Sequence, residues 1–294
     1  MKPAPFDYLR PGSLAEAATA LAGEPNAKVL AGGQSLVPLL SMRLAAPSML
    51  VDINGLPDLS GIEVTGEGVR IGALARHTDV LASADAERVQ PLLAMALSHV
   101  AHATIRNRGT TVGSIIHADA AAEMPAALML LGGSVDVESS TGRRTIPADD
   151  LFLGPLETSL HHDEIAVGAF IPALPAGAGV AFDEVARRHG DYALCGVAAL
   201  VRVEDGSVIE ARTGYLSVNE TPTVVDLTER LVGGIDDDAL AEAGEAALAE
   251  LDPSDDIHAT AAYRAQLVRV LTSRVLRSAH DEWAPTSREL LPGY

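Results

Sequence analysis

Two short stretches that combine glycine with hydroxyl and amide side chains are the clearest carriers of chemistry in this chain. Ala31-Gly32-Gly33-Gln34-Ser35-Leu36 follows directly on the strand-like Lys28-Val29-Leu30, and Thr110-Thr111-Val112-Gly113-Ser114 follows the polar run from Thr104 to Gly109. Glycine lacks a Cβ, so the N–H groups around it can converge on an anion at close range. Gln34, Ser35, Thr110, Thr111 and Ser114 could add side-chain donors. Two such turns can hold the two phosphates of a pyrophosphate. Taken singly, each reads equally well as an ordinary tight turn. Neither has the GxGxxG spacing or a Walker A pattern, which disfavours a Rossmann fold and a nucleoside-triphosphate fold.

Other polar groups are weaker candidates. His117, Asp119 and Glu123 could form a metal or acid–base set. A helix cap accounts for Asp119 more simply, His117 can be a packing residue, and Glu123 could instead accept hydrogen bonds from sugar hydroxyls. His161-His162-Asp163-Glu164 reads as a solvated turn, because adjacent residues point in different directions. In Arg187-Arg188-His189-Gly190-Asp191-Tyr192 the bland reading is a polar turn, and the functional one is Tyr192 stacked near a flat ring. Cys195 sits in an apolar strand and is expected to be buried and inert. Asp236-Asp237-Asp238 suits a helix N-terminus. No catalytic set and no metal site is assigned.

These turns need elements to hold them. Ser13 and Glu16 read as a capping box for a helix with Leu14, Ala17, Ala18 and Leu21 on one face. Strands Lys28–Leu30 and Leu50–Ile53 flank the first glycine turn, and Asn54-Gly55 closes the second strand. Gly61–Thr65 and Val69–Gly72 form an antiparallel pair across Gly66-Glu67-Gly68. A helix begins at Pro91, and another covers Ala122 to Leu131 and stops at Gly132-Gly133. Strands near 135–138 and 165–171 follow. Pro172-Ala173-Leu174-Pro175-Ala176-Gly177 marks a boundary. Beyond it, strands at 180–187, 193–203 and 208–218, with Asp205-Gly206 as a hairpin turn, and helices near 238–251 and 260–279 predict a three-stranded antiparallel sheet backed by helices.

Composition sets the outer limits. The chain has 294 residues, enough for two domains, and its 21 Lys plus Arg against 40 Asp plus Glu give a net charge of -19. That field repels phosphate backbones, so no nucleic-acid partner is expected. A single cysteine excludes a disulfide framework, a zinc ribbon and an iron–sulfur cluster held by this chain alone. The N-terminus lacks the apolar core of a signal peptide, and no apolar run is long enough to span a membrane. The expectation is a cytoplasmic globular protein.

The ordered set Phe6-Asp7-Tyr8-Leu9-Arg10-Pro11, Ala31–Leu36, Leu50-Val51-Asp52-Ile53, Ile105-Arg106-Asn107-Arg108-Gly109-Thr110, His117-Ala118-Asp119 with Glu123-Met124-Pro125, and Arg187-Arg188 with Asp191-Tyr192-Ala193 resembles one family, to about residue 280. It is the FAD-binding medium subunit of the carbon monoxide dehydrogenase and xanthine oxidase (molybdenum hydroxylase) family. The resemblance implies an α+β fold. A two-subdomain, PCMH-type (vanillyl-alcohol-oxidase-like) FAD domain would occupy 1–176, with subdomains about 1–56 and 57–176. A C-terminal domain over 177–294 would hold the three-stranded sheet and a helical bundle.

The resemblance also implies roles. Gly32 to Leu36 and Thr110 to Ser114 would bind the pyrophosphate of FAD through backbone amides, Ala31 and Asp119 would also belong to the cofactor site, and Glu123 would be an acidic contact to the flavin. Ala166 would give a backbone contact near the adenine, and Tyr192 would lie by the isoalloxazine ring. Val112 stands where the family often has glycine, and Asp183 where some relatives carry lysine. Partner subunits would hold the molybdenum cofactor (large subunit) and the 2Fe–2S clusters (small subunit), as a dimer of heterotrimers. Electrons would pass through this chain to an external acceptor. The competing readings are a self-sufficient PCMH-type flavin oxidase and a scaffold subunit without FAD.

Overall fold

The computed structural model describes residues 2–283. The chain folds into two compact units. One comprises the described residues up to Asp119 together with Leu131–Ala173. The other comprises Ala120–Leu130 and the described residues from Leu174 onward.

The first unit opens with β1 (Asp7–Leu9), α1 (Leu14–Gly23), β2 (Ala27–Leu30), α2 (Leu36–Met42) and β3 (Met49–Asp52). The three strands form a parallel sheet in the order β1-β3-β2. Ser13 caps α1 by accepting from the Glu16 N–H, while Glu16 reaches back to the Gly12 N–H, one residue earlier than a capping box requires. Ala17, Ala18 and Leu21 recur at helical spacing on the buried face, and they pack in one cluster with Val51, Ile53, Leu59 and Ile165.

The same unit continues through β4 (Ile62–Val64), β5 (Gly68–Gly72), α3 (His77–Leu81), α4 (Ala84–Val89), α5 (Pro91–His99), α6 (Ala103–Arg106) and α7 (Thr111–His117). Helix α8 (Glu123–Leu131) then intervenes. It is followed by β6 (Ser134–Ser139), β7 (Gly142–Pro147), the short pair β8 (Phe152–Gly154) and β9 (Glu157–Thr158), and β10 (Ile165–Pro172). A five-stranded antiparallel sheet runs β4-β5-β10-β6-β7. Val69, Ile71, Val135, Val137, Ala169 and Ile171 are buried along one face, as the two-residue side-chain period of strands requires. Arg70 and Asp136 lie on the other face, with the Arg70 guanidinium 4.8 Å above the Phe170 ring.

In the second unit β11 (Ala178–Ala186), β12 (Ala193–Glu204), β13 (Ser207–Leu216) and β14 (Thr223–Asp226) form one antiparallel sheet, followed by α9 (Thr228–Leu231), α10 (Asp237–Ala249) and α11 (Ala261–Trp283). The sheet has four strands, not the expected three. β14 is a four-residue edge strand after Pro222, too short to show a period in sequence, and its pairing with Arg212–Tyr215 creates it. The Asp205-Gly206 hairpin has positive φ at both positions, as a two-residue hairpin turn demands. Asp236 caps α10 by accepting from the Ala239 N–H. Leu267, Val268, Leu271, Val275 and Leu276 of α11 pack on the sheet residues Val197, Ala199 and Val201. Helix α8 precedes the Pro172–Gly177 segment in sequence and yet packs in this unit, with the Ala126 carbonyl and the Leu130 side chain against Gly214.

Candidate anion-binding loops

The loop after β2 is held open by glycine. Gly33 has φ of +73°, a conformation costly for residues with a Cβ. A Cβ on Gly32 would lie 2.5 Å from the Arg108 carbonyl oxygen, 2.8 Å from the Gly109 Cα and 3.0 Å from the Thr110 nitrogen. The backbones of the two glycine turns therefore touch, although 76 residues separate Gly32 from Arg108. The Gln34 amide nitrogen donates to the Gly32 carbonyl, and the Val37 N–H donates to the Gly33 carbonyl. Among the described residues, the N–H groups of Gly32, Gly33, Gln34, Ser35 and Leu36 donate to no protein acceptor. Five consecutive unpaired amides around a left-handed glycine, leading into a helix, are donors of the kind that can bind an anion.

The second turn is built differently. It is not an open turn through Ser114: Thr111 to His117 are the helix α7. Thr110, in extended conformation, is its N-cap, and its hydroxyl accepts from the Gly113 N–H at 3.1 Å. The Thr111 N–H donates to the Ala75 carbonyl and the Ser114 N–H to the Thr110 carbonyl. The buried Thr111 hydroxyl meets the His77 Nδ1 at 3.2 Å. The Thr110 hydroxyl accepts in this cap and keeps its own O–H to donate, while the Thr111 hydroxyl is paired with His77. The Val112 N–H and the Ser114 hydroxyl have no partner among the described residues. His77 is buried, and burial together with the positive charge of Arg106 lowers its pKa to about 4, so the ring is neutral at pH 7.

A chain of hydrogen bonds that sequence reading missed joins the two turns. Asp52, at the end of β3, accepts from the Asn54 backbone N–H at 2.9 Å and from its side-chain amide at 2.7 Å. The Asn54 amide nitrogen also donates to the Ala31 carbonyl at 2.7 Å, and its oxygen accepts from the Arg76 guanidinium at 2.8 Å. The other arm of Arg76 donates to the Arg108 carbonyl at 2.5 Å. The Tyr8 hydroxyl donates to Asp52. Burial raises the Asp52 pKa, but the hydrogen bonds from Tyr8 and Asn54 outweigh it and hold the carboxyl below its ordinary value. Burial also lowers the Arg76 pKa, with Arg108 adding repulsion. The available signal was Asp-x-Asn at a strand end, the signature of an Asx turn.

The remaining candidates scatter. His117 ends α7 with its pKa lowered by burial and partly restored by Asp119. Asp119 lies in the segment between α7 and α8, four positions ahead of Glu123. Ala166 lies in β10 opposite Val137, beside a register shift that leaves Val167 as a bulge. Glu123 and Tyr192 belong to the second unit, where the Tyr192 side chain is 67% exposed. Asp183 pairs with Arg274 at 2.5 Å. His161–Glu164 form the expected turn before β10, closed by the Glu164 N–H donating to the His161 carbonyl, with both histidines exposed; the Glu164 carboxylate takes two hydrogen bonds from Arg144, at 2.6 and 2.7 Å, which hold its pKa down. Cys195 is buried and its thiol pKa is pushed up to about 12. Among the described residues no group of histidine, cysteine and carboxylate side chains could hold a metal, and no helix is long and apolar enough to cross a membrane.

Residues 4–174 match the model of the FAD binding domain in molybdopterin dehydrogenase, and residues 180–279 match the CO dehydrogenase flavoprotein C-terminal domain. The chain is 40% identical over 294 residues to the 6-hydroxypseudooxynicotine dehydrogenase complex subunit alpha of Paenarthrobacter nicotinovorans, covering 99% of each chain. It is 40% identical to the nicotine 6-hydroxylase medium subunit of the same organism, covering 95% of this chain and 99% of that one. Among solved structures, quinoline 2-oxidoreductase from Pseudomonas putida 86 superposes with a TM-score of 0.91 at 37% identity, over 97% of this chain and 100% of that one.

Proposed function

The chain belongs to the family of FAD-binding medium subunits of molybdenum hydroxylases, and from that premise we propose that the loop Ala31–Leu36 is its main anchor for the FAD pyrophosphate. The observation that carries this reading is the row of five amides from Gly32 to Leu36 that donate to no protein acceptor among the described residues. The second turn contributes the Val112 N–H and the Ser114 hydroxyl. Its threonines shape the backbone that Gly32 touches. The residues present fit a dinucleotide: a row of unpaired backbone donors, free of carboxylates between Ala31 and Leu36, in a loop that the missing Cβ of Gly32 lets seat directly on the Arg108 carbonyl. For Ala166, Asp119, Glu123 and Tyr192 the resemblance alone supports the roles it gives them, a backbone contact near the adenine, acidic neighbours of the cofactor and an aromatic neighbour of the flavin ring.

As a medium subunit, the chain is the oxidoreductase component that binds FAD in a complex with large and small partners. Bound FAD supplies the redox chemistry, while the protein positions and tunes it. No residue need act as acid or base on a substrate. We further propose that electrons reach this subunit from the iron–sulfur subunit and leave to an external acceptor, that the assembly is a dimer of heterotrimers in the cytoplasm, and that the domains divide at residue 176, with α8 lent to the second. Titration of the full apo chain with FAD, with FMN as control, tests the anchor. Saturable one-to-one binding that strongly favours FAD is the expected result. Equal affinity for FMN would overturn pyrophosphate recognition.

A further inference from the structure

The bridge between the two turns carries more than packing. The Asn54 side chain donates to the Ala31 carbonyl of one segment and the Arg76 side chain to the Arg108 carbonyl of the other. They are also bonded to each other. The carbonyl that Arg76 grips is the same atom that Gly32 approaches most closely. One guanidinium thus fixes the surface against which the donor loop is seated. The planar fork of arginine suits this task, because its two arms reach different acceptors at fixed separation. Asp52 completes the device by accepting from Asn54 and so orienting its amide, with the oxygen toward Arg76 and the nitrogen toward Ala31.

We propose that Asn54 and Arg76 are positioning residues that set the spacing of the two cofactor loops, forming a clamp from β3 through α3 that preorganises the donor row before FAD arrives. The proposal rests on the reading that these loops hold the pyrophosphate. Preorganisation lowers the ordering cost of binding, so its loss should appear in FAD affinity and in loop mobility of the apo chain together.

The test uses the full chain with four variants, Asn54→Ala, Arg76→Met, Arg76→Lys and the double variant Asn54→Ala/Arg76→Met, and Gly32→Ala as a control on the loops. FAD affinity is read by titration, and amide hydrogen exchange is read in the apo state at Val37 and Leu39, whose N–H groups donate to the Gly33 and Ser35 carbonyls of the first loop, and at residues 108–111 of the second. Asn54→Ala and Arg76→Met are each expected to weaken FAD roughly ten-fold, with the double variant no weaker than the worse single one, because both break the same bridge. Exchange should rise in both loops at once. Arg76→Lys should recover part of the affinity by keeping one contact. Should Arg76→Met fail to fold, Asn54→Ala carries the same expectations. Strictly additive losses, or faster exchange in one loop only, would overturn the clamp. If Gly32→Ala abolishes FAD binding while the clamp variants bind as the parent does, the clamp fails and the loop reading stands. If Gly32→Ala leaves FAD affinity unchanged, the loop reading itself fails.

Discussion

The loops at residues 31–36 and 110–114 look alike in sequence, each rich in glycine and hydroxyls, yet they spend their donors in opposite ways. In the first, Ser35 has helical φ and ψ of -98° and -46° and makes no side-chain cap, and the amides from Gly32 to Leu36 donate to nothing within the described protein. In the second, Thr110 is extended at -107° and 141°, its hydroxyl caps α7, and the Thr111, Gly113 and Ser114 amides are all engaged internally. The lesson is that a glycine–hydroxyl motif reports the possibility of anion binding. Hydrogen-bond accounting decides whether the donors are free for it. On the reading proposed above, one turn is the receptor and the other the wall it leans on.

The contrast can be broken most severely at Gly32. Its missing Cβ is what allows the Arg108 carbonyl within reach, so Gly32→Ala should displace the wall at a cost of about 2–3 kcal/mol. We expect FAD affinity to fall by roughly a hundred-fold, read by flavin titration. An unchanged dissociation constant would overturn the reading of this loop as the pyrophosphate anchor.

Of comparable size is a pH effect confined to the wall. The folded His77 pKa of about 4 lies below the ordinary 6.5, so the unfolded chain takes up the proton first as pH falls. The stability that neutral His77 contributes is complete above pH 6.5 and is lost progressively between 6.5 and 4, with a size of about 3 kcal/mol. Urea unfolding at pH 7 and pH 4.5 should show a smaller pH-dependent loss in His77→Gln than in the parent. Equal losses in both would remove His77 from the account.

Two caps then separate the loops at finer scale. Thr110→Ala should cost about 1 kcal/mol of stability, as loss of a helix cap does, seen as a lower urea midpoint. Ser35→Ala should change stability by less than about 0.5 kcal/mol while still weakening FAD a few-fold, since its hydroxyl caps nothing. If Ser35→Ala destabilised the chain as much as Thr110→Ala, the division into receptor and wall would not hold.

Much of this was legible locally. The cap at Ser13, the apolar face Ala17-Ala18-Leu21, proline at the start of α5 and the Asp205-Gly206 hairpin each declare themselves within a few residues. Helix α7 did not, because Thr110-Thr111-Val112-Gly113 combines β-branched residues with glycine, all poor helix formers. It is helical because Thr110 caps it and Val112 and Ile115 are buried. Strand β14 was missed because only its partner β13 makes it a strand.

By itself, the amino-acid sequence determined the ordered motifs that identify the family, the positions where the backbone must lack a Cβ, and the helices and hairpins that short-range patterns encode. The tertiary structure alone decided that Gly32 meets Arg108, that α8 packs with residues far beyond it in the chain, and that Asn54 and Arg76 stand between the loops. The physical reason is one of distance along the chain. Caps and turns are satisfied by neighbours a few residues away. The fate of a loop's donors is settled by acceptors that only folding brings near.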